Sequence, residues 1–247
     1  MPVPALSVVV MAFNERDSLE AQVRATVAFL ARCGGPGSEV VVVDDGSTDG
    51  MAAVADRLAT GHPGTGGAPA VRVVHHPTNL GMGVAIRSGY AAARGEFVTQ
   101  LPGDGQVAPD TLSRFLPHLA DHDLVLSTYA KRDDGFARAL VTAGYQGTAR
   151  VLLGDRCAFT GTMVFRRALL DRVRLTCDSF LVNVELPLKL MRLGVRPAHV
   201  TISALARAHG RSKVLSLARV ARVVREMLKL RAELSGPDWR GGAACGS

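Results

Sequence analysis

The chain has 247 residues, 47% of them hydrophobic and 21% charged, which gives one α/β domain a full core and excludes a disordered polypeptide. A formal charge of +7 and a sequence pI of about 9.7 suit an anionic partner, such as a nucleotide diphosphate or a phospholipid surface. Aromatic residues at 5% leave little for base stacking and argue against a nucleic-acid partner.

Cys33, Cys157, Cys177 and Cys245 form no C-x-x-C pair, so the expectation is a reduced, cytoplasmic chain without a zinc site. Met1 to Leu6 lacks the basic start and apolar centre of a secretory signal. No apolar run approaches the ~20 residues of a membrane span. Contact with a membrane would therefore be peripheral, on its inner face.

In chain order, Leu6 to Met11 reads as a buried strand, and Asn14 and Glu15 precede a helix over Leu19 to Leu30. Glu39 to Val43 is a second strand, running through Asp44-Asp45-Gly46-Ser47-Thr48-Asp49-Gly50 into a helix from Met51 to Leu58. Residues 60 to 70 are rich in Gly and Pro and read as a surface loop. Val71 to Val74 is strand, Gly83 to Ala93 helix, and Phe97 to Leu101 strand again. A helix opened by Pro109 and a strand over Asp123 to Ser127 follow. Continuous apolar strands alternating with amphipathic helices predict a parallel sheet covered on both faces.

Beyond residue 130 the rhythm breaks. Helix is expected over Gly135 to Leu153, strand over Thr162 to Phe165, helix over Leu181 to Leu193 with a kink or break at Pro187, and strand over Val195 to Ile202. Val214 to Leu234 reads as a basic amphipathic helix, with Leu217, Val220, Val224, Met227 and Leu228 on one side and Arg219, Arg222, Arg225, Lys229 and Arg231 on the others. It either docks on its own domain or lies on an anionic membrane surface. The division expected is 1–213 as the main domain, with a nucleotide-binding half to about 128 and an acceptor half from 129, then the helix over 214–234 and a loose tail over 235–247.

Chemistry concentrates where strands end. The run Phe97 to Pro102 delivers Asp104 to the open edge of the sheet, where α/β proteins bind ligands. As a plain turn residue, Asp104 would need no further explanation. Two adjacent carboxylates at a buried strand end, Asp44 and Asp45, are costly unless they are paired or face a ligand. Ser47, Thr48 or Asp49 could cap the next helix, and the remaining acceptors suit the N–H and hydroxyl groups of a nucleoside. Asn79-Leu80-Gly81-Met82-Gly83 fails as a dinucleotide fingerprint, because Ile86 stands where the third glycine should be. His75 and His76 read as solvated loop residues rather than metal ligands.

Taken in order, Val9-Val10-Met11-Ala12-Phe13-Asn14-Glu15, Val42 to Gly50, Asn79 to Gly83 and Ala92-Ala93-Arg94-Gly95 resemble family 2 glycosyltransferases. The match looks best to the dolichol-phosphate mannose synthase group, whose late R-x-x-G-x-S-K motif is matched by Arg207 to Lys213. The resemblance implies a GT-A fold, a nucleotide-sugar donor and inversion at the anomeric carbon. It assigns the donor to Phe13, Asn14, Glu15, Asp44, Asp45, Ser47, Gly81, Gly83 and Asp104. A divalent metal, Mg²⁺ or Mn²⁺, falls to Asp104 and Gln106. The family's first metal-binding Asp is Pro102 here, so a weakened site is expected.

Arg207 and Lys213 match the late motif and would neutralise a leaving diphosphate or an acceptor phosphate. A polyprenyl phosphate acceptor needs no general base; a hydroxyl acceptor does, with Asp178 and Glu185 as candidates. Three functions are compatible with these residues. They are sugar transfer to a polyprenyl phosphate, sugar transfer to a hydroxyl-bearing metabolite, and a degenerate nucleotide-sugar binding protein.

Overall fold

The computed structural model describes residues 3–129, 162–202 and 217–236. The expected helix over Gly135 to Leu153, together with Arg207 and Lys213, lies outside the described residues.

The first half folds as strand-helix units. β1 (Leu6–Ala12), β2 (Glu39–Asp44), β3 (Ala70–His75) and β4 (Phe97–Pro102) alternate with α1 (Arg16–Cys33), α2 (Met51–Gly61) and α3 (Met82–Ala92). β5 (Leu124–Tyr129), β6 (Met163–Arg166), α4 (Val182–Arg192), β7 (Ala198–Ile202) and α5 (Leu217–Ser235) follow. The seven strands among the described residues form one sheet in the order β3-β2-β1-β4-β6-β5-β7. Every pairing is parallel except those of β6, which runs antiparallel to both β4 and β5. A four-residue apolar run carries no sign of its direction, so sequence pattern alone leaves this reversal unread.

Why the strands are so apolar follows from the layers. α1 and α2 cover one face of the sheet and α3, α4 and α5 the other, so a strand such as β2 is buried along its whole length. α1 turns Leu19, Val23, Phe29 and Leu30 inward at helical spacing, and α3 does the same with Ala85, Ile86 and Tyr90.

Three expectations are corrected. Pro109 opens two short 3₁₀ turns, Pro109–Arg114 and Leu116–His118, instead of an α-helix. Pro187 sits within α4 without ending it. The ring removes one backbone donor, but residues 184–190 are all buried, and that packing holds the turn together. The C-terminal helix is an integral part of the second core. Met227, Leu230 and Leu234 pack with α3 and α4 residues, and Leu228, assigned to the apolar side from sequence, is 51% exposed. The buried face thus follows i, i+3 and i+7 from Met227, rotated from the one the pattern suggested.

Candidate active site

The carboxyl ends of β1, β2, β3 and β4 lie side by side, and their loops are tied to one another. Asp45 N–H donates to Ala12 C=O at 3.0 Å, Gly103 N–H to Met11 C=O at 2.9 Å, and His76 N–H to Asp44 C=O at 2.9 Å. Asn14 adopts a left-handed backbone with φ of 54°, which its short polar side chain tolerates. In that pose its N–H donates to Ser47 Oγ at 3.0 Å, and its Oδ1 accepts Thr48 N–H at 2.8 Å. Ser18 Oγ bridges the first loop to the fourth strand through Gly103 C=O at 2.9 Å. Phe13 is half-buried beside them, and Glu15 precedes α1 with its carboxylate near the Ser18 hydroxyl.

Asp44 and Asp45 are buried and hydrogen-bonded. Asp44 Oδ1 accepts Ser47 N–H at 3.0 Å, and Oδ2 faces His75 Nδ1 at 3.0 Å. Asp45 Oδ1 faces His76 Nδ1 at 2.7 Å and accepts Leu80 N–H at 2.9 Å. Its Oδ2 accepts Gly81 N–H at 2.9 Å. A carboxylate offers about four acceptor sites, so Asp44 keeps more capacity toward a ligand, whereas Asp45 mainly holds the 79–81 loop. Burial pushes the Asp44 carboxyl up, but hydrogen bonds from Ser47 and His75 outweigh it and leave it below its ordinary value. Burial likewise lowers His75, and its bonds to Asp44 and Asp56 outweigh that and raise it.

Both histidines engage the carboxylate pair; His75, the last residue of β3, stays exposed at 39% of its side chain, whereas His76 is not solvated. His76 is 8% exposed at its side chain and continues from Asp45 to Ser88 Oγ at 2.9 Å. The signal was present in the sequence. β2 and β3 each finish an apolar run with a polar doublet, and in parallel register Asp44 pairs with His75. Capping is divided as well: Ser47 is occupied by Asp44 and Asn14, and Asp49 accepts Met51 N–H at 3.0 Å. Gly46 is required here, since a Cβ on it would lie 2.3 Å from the Thr78 carbonyl carbon at a φ of +72°.

Asp104 lies two residues past the end of β4, partly exposed. Its Oδ1 accepts Gln106 N–H at 3.1 Å, and Gln106 Nε2 donates to its Oδ2. Asp104 and the Gln106 amide offer only hard oxygen ligands, the kind Mg²⁺ and Mn²⁺ prefer. Among the described residues no group of three or more His, Cys, Asp or Glu side chains is placed to hold a metal. The donor set therefore fits a cation that takes most of its ligands from diphosphate and water.

Glu185 does not belong to this site. It is fully buried on α4, where it accepts the N–H groups of Thr176 and Cys177 at 2.8 and 2.9 Å and pairs with Lys189 Nζ at 2.8 Å. Burial pushes its carboxyl up, but Lys189 and those amides more than offset this and hold it below its ordinary value. Enclosed in this way, the carboxylate ties α4 to the Thr176–Cys177 backbone. Lys189 extends the tie to Glu233 of α5 at 2.6 Å. Asp178, the other candidate, is exposed and ion-paired with Arg87 at 2.7 Å. It borders the 79–83 loop, because Gly83 N–H donates to its carbonyl at 3.0 Å.

The fold is of the GT-A type: a mostly parallel sheet whose carboxyl edge carries the loops after β1, β2 and β3 and an acidic turn after β4. The family model for glycosyl transferase family 2 matches residues 7–174, and the chain belongs to that family. It is 29% identical over 219 residues to an undecaprenyl-phosphate 4-deoxy-4-formamido-L-arabinose transferase of Pseudomonas aeruginosa, covering 86% of this chain and 61% of that protein. It is 30% identical to polyprenol monophosphomannose synthase of Mycolicibacterium smegmatis, covering 86% of this chain and 82% of the relative. Glucosyl-3-phosphoglycerate synthase of Mycobacterium tuberculosis, solved with Mn²⁺, UDP-glucose and phosphoglyceric acid, superposes with a TM-score of 0.66 at 25% identity, over 95% of this chain and 81% of that one. The chain thus spans less than two thirds of the length of the Pseudomonas relative.

Proposed function

We propose that this protein transfers a sugar, with inversion, from a nucleotide-sugar donor to the phosphate oxygen of a polyprenyl phosphate. The observation that carries the reading is the arrangement of Asn14, Asp44 and Asp104 on adjacent strand ends, in a chain whose relatives are named for transfer to polyprenyl phosphates. Asn14 and Asp44 would hold the nucleoside, and Asp104 with Gln106 would hold Mg²⁺ or Mn²⁺. Such a cation, when bound, neutralises charge developing on the leaving diphosphate. Pro102, at the last position of β4, contributes no acid to it.

The acceptor phosphate is already anionic, so its oxygen attacks the anomeric carbon as the bond to the diphosphate breaks, and no proton need be removed. The burial of Glu185 agrees with chemistry of this kind, in which alignment and charge neutralisation do most of the work. The exposed cations Arg222, Arg225 and Lys229 on α5 would add a salt-sensitive attraction to anionic lipid. Among the described residues no helix is long and apolar enough to cross a membrane.

A second reading, transfer to a small phosphorylated metabolite, draws on the likeness to the phosphoglycerate-binding enzyme. On that reading a hydroxyl would attack, and Asp178, whose backbone borders the 79–83 loop, would be the candidate base. A screen of UDP- and GDP-sugars that monitors nucleoside diphosphate release separates the two. Release that requires polyprenyl phosphate supports the first. Release with 3-phosphoglycerate and not with the lipid overturns it.

A further inference from the structure

The loop from Asn79 to Gly83 is held from two sides. On the sheet side, Asp45 accepts the Leu80 and Gly81 amides, as described. On the other side the loop meets the segment Asp178–Ser179, backbone against backbone. Gly83 N–H donates to Asp178 C=O at 3.0 Å, and a Cβ on Gly83 would lie 2.4 Å from the Asp178 carbonyl carbon. Nothing larger than glycine fits, so the position of 178–179 sets the position of Gly83 and the start of α3.

That segment belongs to no strand or helix, and what fixes it comes from the far end of the chain. Glu226 of α5 accepts Asp178 N–H on Oε1 at 3.2 Å, and Ser179 N–H at 3.3 Å together with the Ser179 hydroxyl on Oε2. Arg87 of α3 completes the connection, donating to Cys177 C=O and to the Asp178 carboxylate. Docking of α5 does not by itself need a carboxylate at 226. Met227, Leu230 and Leu234 bury its apolar face, and Glu233 anchors its last turns to Lys189.

We propose that Glu226 is a positioning residue for donor binding. By holding the 178–179 backbone, it holds Gly83, and with it the face of the 79–83 loop opposite the one Asp45 orders. The inference rests on the reading of this loop as a donor contact. It makes the C-terminal helix, which is remote from the donor in sequence, a wall of the donor site.

The test compares Glu226→Ala, Glu226→Gln and, as a same-helix control, Leu228→Ala. Affinity for UDP and for GDP with Mn²⁺ is measured by calorimetry, amide hydrogen exchange is followed over peptides 79–83 and 227–234, and melting temperature is recorded. Glu226→Ala should weaken nucleotide binding about tenfold, a typical size for coupling between linked sites. It should speed exchange over 79–83 and leave 227–234 protected. Glu226→Gln, which keeps one acceptor oxygen, should recover much of the affinity, and Leu228→Ala should behave as the parent protein. Two results would overturn the proposal: unchanged affinity and exchange at 79–83 in Glu226→Ala, or faster exchange at both peptides with a large fall in melting temperature, which would make Glu226 a docking residue alone. Asp45→Asn separates this from the donor reading. If Asp45→Asn weakens nucleotide binding and Glu226→Ala does not, the inference alone fails. If neither does, the loop is not a donor contact and both fall together.

Discussion

Two groups of carboxylates in this molecule look alike in sequence and do opposite things. Asp44 and Asp104 sit at strand ends at the open edge of the sheet, hydrogen-bonded chiefly to the loops there. Glu185 sits one layer away on α4, enclosed, with Lys189 and two amides converging on it. The difference is where the partners come from. A carboxylate whose charge is answered within the core stabilises the fold, and one answered only in part at a strand end is available to a ligand.

The strongest way to break this contrast is at Glu185. Glu185→Ala leaves Lys189, 3% exposed at its side chain, with Glu233 as its remaining carboxylate partner, and loss of one partner from a buried pair costs up to about 3–5 kcal/mol. Urea denaturation should show that loss, with activity per folded molecule little changed. A stable variant with no turnover would instead return Glu185 to the chemistry.

Asp104→Asn should do the reverse. The substitution is nearly isosteric, so the melting temperature should hold, while turnover should fall by about 10²–10³, the size seen when one group stabilising transition-state charge is removed. Normal turnover with a lowered melting temperature would make Asp104 a turn residue and no more.

Pro102→Asp sharpens the same side of the comparison. An added carboxylate two residues before Asp104 should tighten the apparent Mn²⁺ affinity by about tenfold or less, because each extra hard ligand adds modestly when diphosphate supplies the others. Titration of activity with Mn²⁺ reads this directly. Full activity in EDTA, unaffected by added Mn²⁺, would remove the metal from the mechanism.

The smallest effect belongs to the Asp44–His75 pair. His75 is raised above its ordinary 6.5 on folding, so its contribution is complete below pH 6.5 and is lost as the pH climbs through the folded value. Asp44 is lowered from 3.8, so its contribution is complete above pH 3.8 and disappears as the pH falls through its folded value. Melting temperature should therefore be flat between these limits and decline beyond each. The alkaline decline should be about 1–2 °C, since a partly exposed pair contributes little, and His75→Gln should abolish it. An identical decline in His75→Gln would assign the slope to other groups.

The local pattern of the chain determined much of this. Apolar strands ending in polar doublets placed β1 to β4 and the carboxylates at their ends, because burial on both faces demands continuous apolar runs and the sheet's open edge collects what cannot be buried. The family resemblance over Phe13 to Glu15, Asp44 to Gly50 and Asn79 to Gly83 agrees with the family whose model matches residues 7–174. Direction, partnership and facing were decided only in three dimensions. Whether β6 runs up or down depends on its neighbours in the sheet. His75 and His76 acquire meaning only when β3 lies in register beside β2. The roles of Glu185 and Glu226, both on helices, are set by which backbone amides the tertiary packing brings to them across 8 to 48 residues of sequence. Side-chain type and spacing encode what a residue can bond to; which partner is within 3 Å is a property of the packed chain.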